Sequence, residues 1–162
     1  MQISRAASVT AAVAFLASCG GDAASTPNYL LAPGDYALSE VKFTKDECKY
    51  AIMPTPLTIT IDAASRSTKV SNLAGLPAGA SNGNKFALTG EETVDHKAKL
   101  VSRDCKEQLK TTFEISLTAD TNFKGTATFA STALEGQACT EENLGYPIPC
   151  ESVATFVAQK QP

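Results

Sequence analysis

The sequence predicts an all-β protein, a single small antiparallel β-barrel or β-sandwich of about seven or eight strands. Residues 57–62 and 113–118 alternate strictly between apolar and polar side chains, which is the pattern of a strand with one buried face. Segments of this kind recur between turn residues, and no long segment with helical spacing of apolar residues separates them. These two observations favour an antiparallel β-fold.

Further strands are predicted where the same alternation recurs, at residues 35–44, 69–73, 85–93, 123–131 and 152–159. Within the first of these strands, Tyr36 and Leu38 have one parity, whereas Val41 and Phe43 have the other. Successive side chains of a strand point to opposite faces, so a β-bulge at positions 39–40 is needed to keep these four side chains inside.

Turn residues separate the predicted strands. Residues 120–122 predict a tight hairpin turn, and Asn82-Gly83 within residues 81–84 predicts a type I′ turn, because these residue types tolerate positive φ angles. Residues 94–105 are predicted as either a strand or a short helix. We expect the last strand to pair with the first, which removes both open edges and favours an up-and-down barrel over a sandwich.

An internal repeat is a further expectation. Three segments recur in the same order later in the chain, residues 35–39 as 85–89, residues 48–49 as 105–106, and residues 57–62 as 113–118. The alternative is a chance likeness, because the matching positions hold residue types that are common in any strand.

The N-terminal residues are organised as a signal segment. Arg5 precedes an apolar run at residues 9–17, which is too short to span roughly 30 Å of hydrocarbon as a helix. The motif Leu16-Ala17-Ser18-Cys19 follows and resembles the lipobox of bacterial lipoprotein precursors. The resemblance implies that residues 1–18 are a signal peptide and that Cys19 is lipidated, with acyl chains such as palmitate.

The lipobox divides the chain into a signal peptide at residues 1–18, a lipidated N-terminus with a flexible tether at residues 19–27, and a single β-domain at residues 28–162. The tether of residues 20–27 reaches at most about 26 Å when fully extended. Gly20, not Asp, follows the cysteine. The resemblance therefore implies the outer membrane of the cell envelope rather than the inner membrane, with the lipid anchor as the contact to the bilayer.

The charge balance is mildly acidic, with 14 Lys+Arg against 17 Asp+Glu and a formal net charge of −3. The sequence contains no Lys/Arg cluster. The composition therefore predicts no nucleic-acid partner and no electrostatic footprint for anionic lipid headgroups.

Four cysteines remain once Cys19 is assigned to the lipid. Cys48, Cys105, Cys139 and Cys150 form an even set in an exported protein, which predicts two disulfides. Their wide spacing does not fit a zinc site, and we expect no metal. We favour Cys48 with Cys105 because of the repeat, and Cys139 with Cys150 because they flank a short loop; the other two connectivities stay open.

No motif in the sequence indicates catalysis or a cofactor. His96 is the single histidine, and Asp95 and Lys97 flank it. We expect a solvated surface side chain there, because the sequence contains no nucleophile motif that it could serve. We therefore expect a non-enzymatic protein without a cofactor.

The loop between Cys139 and Cys150 is the candidate binding surface. It carries Leu144, Tyr146 and Ile148, and a stiffened loop reduces the ordering cost of binding a partner protein of the envelope. The alternative is that these three side chains pack back onto the end of the barrel, and we favour this alternative because apolar loop residues more often cover a core.

Pro33-Gly34-Asp35-Tyr36 resembles, over four residues, the Gly-x-Trp start of lipocalins, although the chain has no Trp. This resemblance implies a carrier of a small apolar ligand. The phenylalanines are numerous enough to fill a small barrel, which argues against a roomy pocket. The sequence thus favours a lipid-anchored structural or protein-binding module of the envelope, with a lipocalin-like carrier as the alternative.

Overall fold

The computed structural model describes residues 28–49, 53–96, 104–136 and 138–162. The predicted signal peptide, the lipobox with Cys19 and the tether lie outside these residues. Much of the segment at residues 94–105 also lies outside them, so the choice between strand and helix stays open there.

The described residues form eight strands and one short helix. They are β1 (Gly34–Asp46), β2 (Leu57–Ile61), β3 (Ser67–Val70), β4 (Ala78–Ala80), β5 (Lys85–Asp95), β6 (Lys106–Ala119), β7 (Asn122–Glu135), α1 (Glu141–Leu144) and β8 (Cys150–Lys160). In this part of the chain no helix is long and apolar enough to cross a membrane.

Each strand pairs antiparallel with the next one, and β8 pairs with β1, so the single sheet closes on itself. The predicted all-β class is confirmed, and so is the expected pairing of the last strand with the first. Closure removes the two open edges that an unclosed sheet would leave.

The strands are unequal in length. β1 and β5 to β8 are long, whereas β2, β3 and β4 are short. β1 pairs with β2 over only three positions, and β5 pairs with β6 over its whole length. The two proposed repeats therefore differ in how far their strands pair. The sequence did not predict β4, because Ala78-Gly79-Ala80 lacks the β-branched and aromatic residues of a typical strand.

The predicted bulge in β1 is confirmed. The pairing with β8 shifts register between Ser39 and Lys42, and Glu40 has a φ angle of 54°. Val41 lies in the bulge and is 42% exposed, so the expectation that it faces inward is wrong. The physical reason is that Glu40 and Val41 together oppose Phe156 alone, so the bulge removes both from the inward–outward alternation, and both are exposed.

The turns between strands agree with the sequence in position. The tight turn between β6 and β7 lies at residues 120–121, as predicted. Residues 81–84 connect β4 to β5, but Gly83 alone has a positive φ angle there, at 71°. A type I′ turn needs two such residues, so this part of the prediction is wrong.

Four aromatic rings fill the middle of the barrel. Tyr36 and Phe123 have ring centroids 5.2 Å apart, and Phe113 stacks on Phe156 at 5.5 Å. Gly125 makes room for this packing, since a Cβ atom there would lie 2.3 Å from the Phe156 ring. We call these four rings the aromatic cluster.

The N-terminal segment, residues 28–33, crosses one end of the barrel, which we call the turn end. Tyr29 N–H donates to Asn84 Oδ1 and Leu30 N–H donates to Asp120 Oδ1, both at 2.7 Å. The Tyr36 hydroxyl donates to the carbonyl oxygen of residue 32. Burial, with the nearby charge of Asp120, raises the pKa of Tyr36 to about 12, so this hydroxyl stays protonated.

The opposite end of the barrel carries both disulfides, and we call it the disulfide end. Cys48 is bonded to Cys150, and Cys105 is bonded to Cys139. The number of disulfides agrees with the sequence, but the favoured connectivity is wrong. β1 pairs with β8 at Asp46 and Ser152, so continuing this register by two residues places Cys48 opposite Cys150.

Peptide mapping of the unreduced protein tests this connectivity. Trypsin alone leaves Cys139 and Cys150 in one peptide, so a protease that cleaves after Glu141 and Glu142 is needed as well. We expect one linked pair that joins Cys48 to Cys150 and another that joins Cys105 to Cys139. A reduced digest is the control, and a peptide that links Cys48 to Cys105 would contradict the fold.

Candidate functional site

A group of polar side chains lies inside the barrel at the disulfide end. Glu107 is 2% exposed and its carboxylate accepts hydrogen bonds from two other side chains. The Ser131 hydroxyl donates to Oε2 at 2.9 Å, and the Tyr146 hydroxyl lies 3.0 and 3.1 Å from Oε1 and Oε2. His96 Nε2 lies 3.1 Å from Oε1. We call these four residues the Glu107 cluster.

Strand parity explains why Glu107 points inward. On β6 the buried Phe113 and Thr111 share its parity, and their side chains face the interior. Ser131 occupies an inward position of β7, where it is fully buried. His96 follows the end of β5, and its backbone N–H donates to the carbonyl oxygen of Cys105 at 2.9 Å.

The Glu107 cluster compensates the burial of a carboxylate. Removing such a group from water without partners costs several kcal/mol. Two hydroxyl donors and the nearby imidazole of His96 replace the lost water. The Nε2 atom of His96 lies close to the carboxylate but does not meet hydrogen-bond geometry.

The expectation of a solvated His96 is wrong, because the residue is 7% exposed. Asp95 and Lys97 flank His96 in the sequence, and these charged neighbours wrongly suggested a solvent-exposed position. Period-two alternation read backwards from Phe113 places Glu107 on the inner face, and this signal was available in the sequence. The partners of the carboxylate come from three separate segments, and no local pattern identifies them.

The loop between Cys139 and Cys150, residues 139–150, covers the Glu107 cluster. It contains α1, and Gly145 ends this helix in the left-handed conformation, with a φ angle of 82°. Asn143 Nδ2 donates to the carbonyl oxygen of Ala138 at 3.0 Å. Lys49 forms an exposed ion pair with Glu141 at 3.0 Å, which contributes little.

The three candidate binding residues are all half-buried, and none of them is fully exposed. Tyr146 points its hydroxyl into the barrel toward Glu107, which fits the alternative that the loop packs back onto the barrel end. Leu144 and Ile148 keep part of their surface in contact with solvent. The loop is therefore held at its two ends by disulfides to different strands, and between them by a hydrogen bond to a buried carboxylate.

The Glu107 cluster has the chemical groups of an acid–base site, but these groups are buried. The Glu107 and His96 side chains are 2% and 8% exposed, and the loop covers them. A groove on the outer face of β5 to β8 includes none of the four residues. Across the described ranges, no group of three His, Cys, Asp or Glu residues has the arrangement of a metal site.

Comparison of the chain with known protein families, with curated proteins and with solved structures gives no significant match.

Replacing Tyr146 with Phe removes one donor from the buried carboxylate. We expect the free energy of unfolding to fall by about 1 to 2 kcal/mol, because Glu107 loses a hydrogen bond that water cannot replace. Urea denaturation measures the loss, and hydrogen exchange in residues 138–149 should become faster.

Tyr29→Phe is the matched control, since the Tyr29 hydroxyl donates to no partner among the described residues. We expect it to change stability by less than about 0.5 kcal/mol. Equal stability of the two variants, with unchanged exchange in the loop, would show that the Tyr146 hydroxyl does not hold the loop.

Proposed function

We propose that this protein is a lipid-anchored lipoprotein of the cell envelope, and that its β-domain is a non-enzymatic structural or protein-binding module at the membrane surface. The observation that carries the binding role is the fixed conformation of the 139–150 loop. Disulfides hold both of its ends, and Tyr146 is bonded to a buried carboxylate between them. A loop that is ordered before binding loses little conformational entropy when a partner docks.

The arrangement of the two barrel ends supports this proposal. The tether enters the β-domain at the turn end, where residues 28–33 cross the barrel. The 139–150 loop lies at the disulfide end, so a domain anchored through Cys19 presents this loop away from its point of attachment. Gly20, and not Asp, follows the cysteine, which favours the outer membrane.

The filled interior favours a binding module over a carrier. The aromatic cluster occupies the middle of the barrel, where a lipocalin-like protein would hold an apolar ligand. A partner therefore has the outer face and the two ends of the barrel as contact surfaces.

The lipid anchor predicts the chemistry of the N-terminal peptide. Protein isolated from the envelope should begin at Cys19, and its tryptic peptide ending at Lys42 should carry the mass of a diacylglyceryl group and an acyl chain. Cys19→Ala should abolish this modification and release the processed protein from membranes. Ser18→Ala keeps a small residue in the lipobox and serves as the control. An N-terminus elsewhere, or an unmodified Cys19, would contradict the anchor.

The binding role predicts a contact at the 139–150 loop. A photoreactive amino acid at position 142, which is exposed on α1, should yield one discrete adduct with an envelope protein in intact cells. The same probe at position 64, in the turn between β2 and β3 at the turn end, is the control and should not yield this adduct.

Leu144→Ser combined with Ile148→Ser should remove the adduct while leaving the fold intact, because these side chains supply the accessible apolar surface of the loop. Circular dichroism and urea denaturation check the fold. Retention of the adduct in this variant, or the same adduct from position 64, would exclude the loop as the contact surface.

A further inference from the structure

Lys85, Ser116 and Lys124 lie in one row across the outer face of the barrel near the turn end. The sheet register pairs Lys85 with Ser116, and Ser116 with Lys124. Residues that pair directly across strands share one face of the sheet, and two strand spacings, together roughly 9.6 Å, separate the Cα atoms of the two lysines. We call this row the basic row.

The basic row forms one side of an open groove of about 780 Å³. Val157 on β8 continues the row beside Lys124. Glu114 and Glu40 also line the groove, farther from the turn end. The side of the groove nearest to the turn end is therefore basic, and the far side is acidic.

Both lysines of the basic row have their charge available. Neither of them forms an ion pair with any residue that the structure describes. Four exposed lysines toward the disulfide end, by contrast, pair with glutamates: Lys45, Lys49, Lys106 and Lys110. The aspartates of the turn end already accept hydrogen bonds from the chain itself: Asp35 from Thr58, Asp62 from Ser65 and Asp120 from Leu30.

The chain enters the β-domain beside the basic row. Tyr29 N–H donates to Asn84, which directly precedes Lys85. Leu30 is 53% exposed at the same end. The tether of residues 20–27 reaches at most about 26 Å, so a lipid on Cys19 keeps the turn end close to the bilayer.

We propose that the basic row binds the phosphate-bearing headgroups of an anionic phospholipid surface, and that this contact holds the barrel with its turn end on the membrane. The two ammonium groups and the Ser116 hydroxyl donate to phosphate oxygens. Each cation close to such a surface strengthens binding by roughly fivefold. The inference rests on the proposed lipid anchor, which supplies the nearby bilayer.

The first test uses the lipidated, full-length protein in vesicles and measures how fast each lysine amine reacts with an acylating reagent. In vesicles that contain phosphatidylglycerol, Lys85 and Lys124 should react about tenfold more slowly than in pure phosphatidylcholine, because the headgroups cover the amines and stabilise their charge. Lys49 and Lys110, toward the disulfide end, are internal controls whose reaction rates should not differ between the two kinds of vesicle. High salt should restore the fast reaction of the basic row.

The second test uses the processed chain, residues 19–162, with Cys19→Ala, which carries neither the apolar signal segment nor a lipid, so any partitioning onto vesicles comes from the protein surface. We expect the double substitution Lys85→Gln and Lys124→Gln to reduce partitioning onto phosphatidylglycerol vesicles by about tenfold or more. The double substitution Lys49→Gln and Lys110→Gln removes the same charge from the disulfide half and should leave partitioning unchanged.

The outcomes separate this contact from the anchor. Equal amine reactivity on both kinds of vesicle, or equal partitioning of both double variants, overturns the proposal. Slower reaction of Lys85 and Lys124 with inorganic phosphate alone also overturns it, because the row then binds a soluble phosphate. An unmodified Cys19 refutes the lipid anchor only. The headgroup contact is then tested by the partitioning of the Cys19→Ala chain, which needs no anchor.

Discussion

The pairing of β8 with β1 is the constraint on which the rest of the structure depends. It closes the sheet, and its register at Asp46 and Ser152 brings Cys48 opposite Cys150. The same closure places the start of β1 and the end of β8 at the turn end, where the N-terminal segment crosses the barrel. A bridge that closes a loop of this length contributes on the order of 4 to 5 kcal/mol through loop-closure entropy. Closure therefore defines the two ends of the barrel. At one of them, the bond between Cys48 and Cys150 joins the two closing strands covalently.

The strands were predictable because each of them has one buried face, which leaves a period of two in the sequence. The bulge in β1 was predictable for the same reason, since Tyr36 and Phe43 have opposite parity. The disulfide connectivity was not predicted, because the short loop favoured Cys139 with Cys150. That preference is worth only about 2 kcal/mol of loop-closure entropy against the longer loop. The sheet register decides the cysteine pairing instead. The sequence already predicted that the last strand pairs with the first, and this pairing brings Cys48 close to Cys150.

The candidate sites were harder to predict than the fold, because their members come from separate segments. The parity of Phe113 places Glu107 inside the barrel, but its partners Ser131 and Tyr146 become neighbours only when β7 and the loop are in position. Lys85 and Lys124 likewise form no cluster in the sequence, and the register of β5, β6 and β7 brings them into one row. A search for runs of like charge cannot find a row that crosses strands, so the proposed headgroup contact departs from the prediction, made from composition, that the protein has no footprint for anionic lipids.

The packing of the interior bears on where the proposed partners would bind. The aromatic cluster and the Glu107 cluster occupy the inside of the barrel, so we expect a partner to contact the outer face or one of the two ends. Ser116 of the basic row lies ten residues along β6 from Lys106, which starts the strand at the disulfide end, and at roughly 3.3 Å per residue this stretch measures about 33 Å. This distance separates the basic row from the 139–150 loop. A membrane bound at the turn end and a protein bound at the disulfide end therefore do not compete for the same surface, which allows both proposed contacts to form at once.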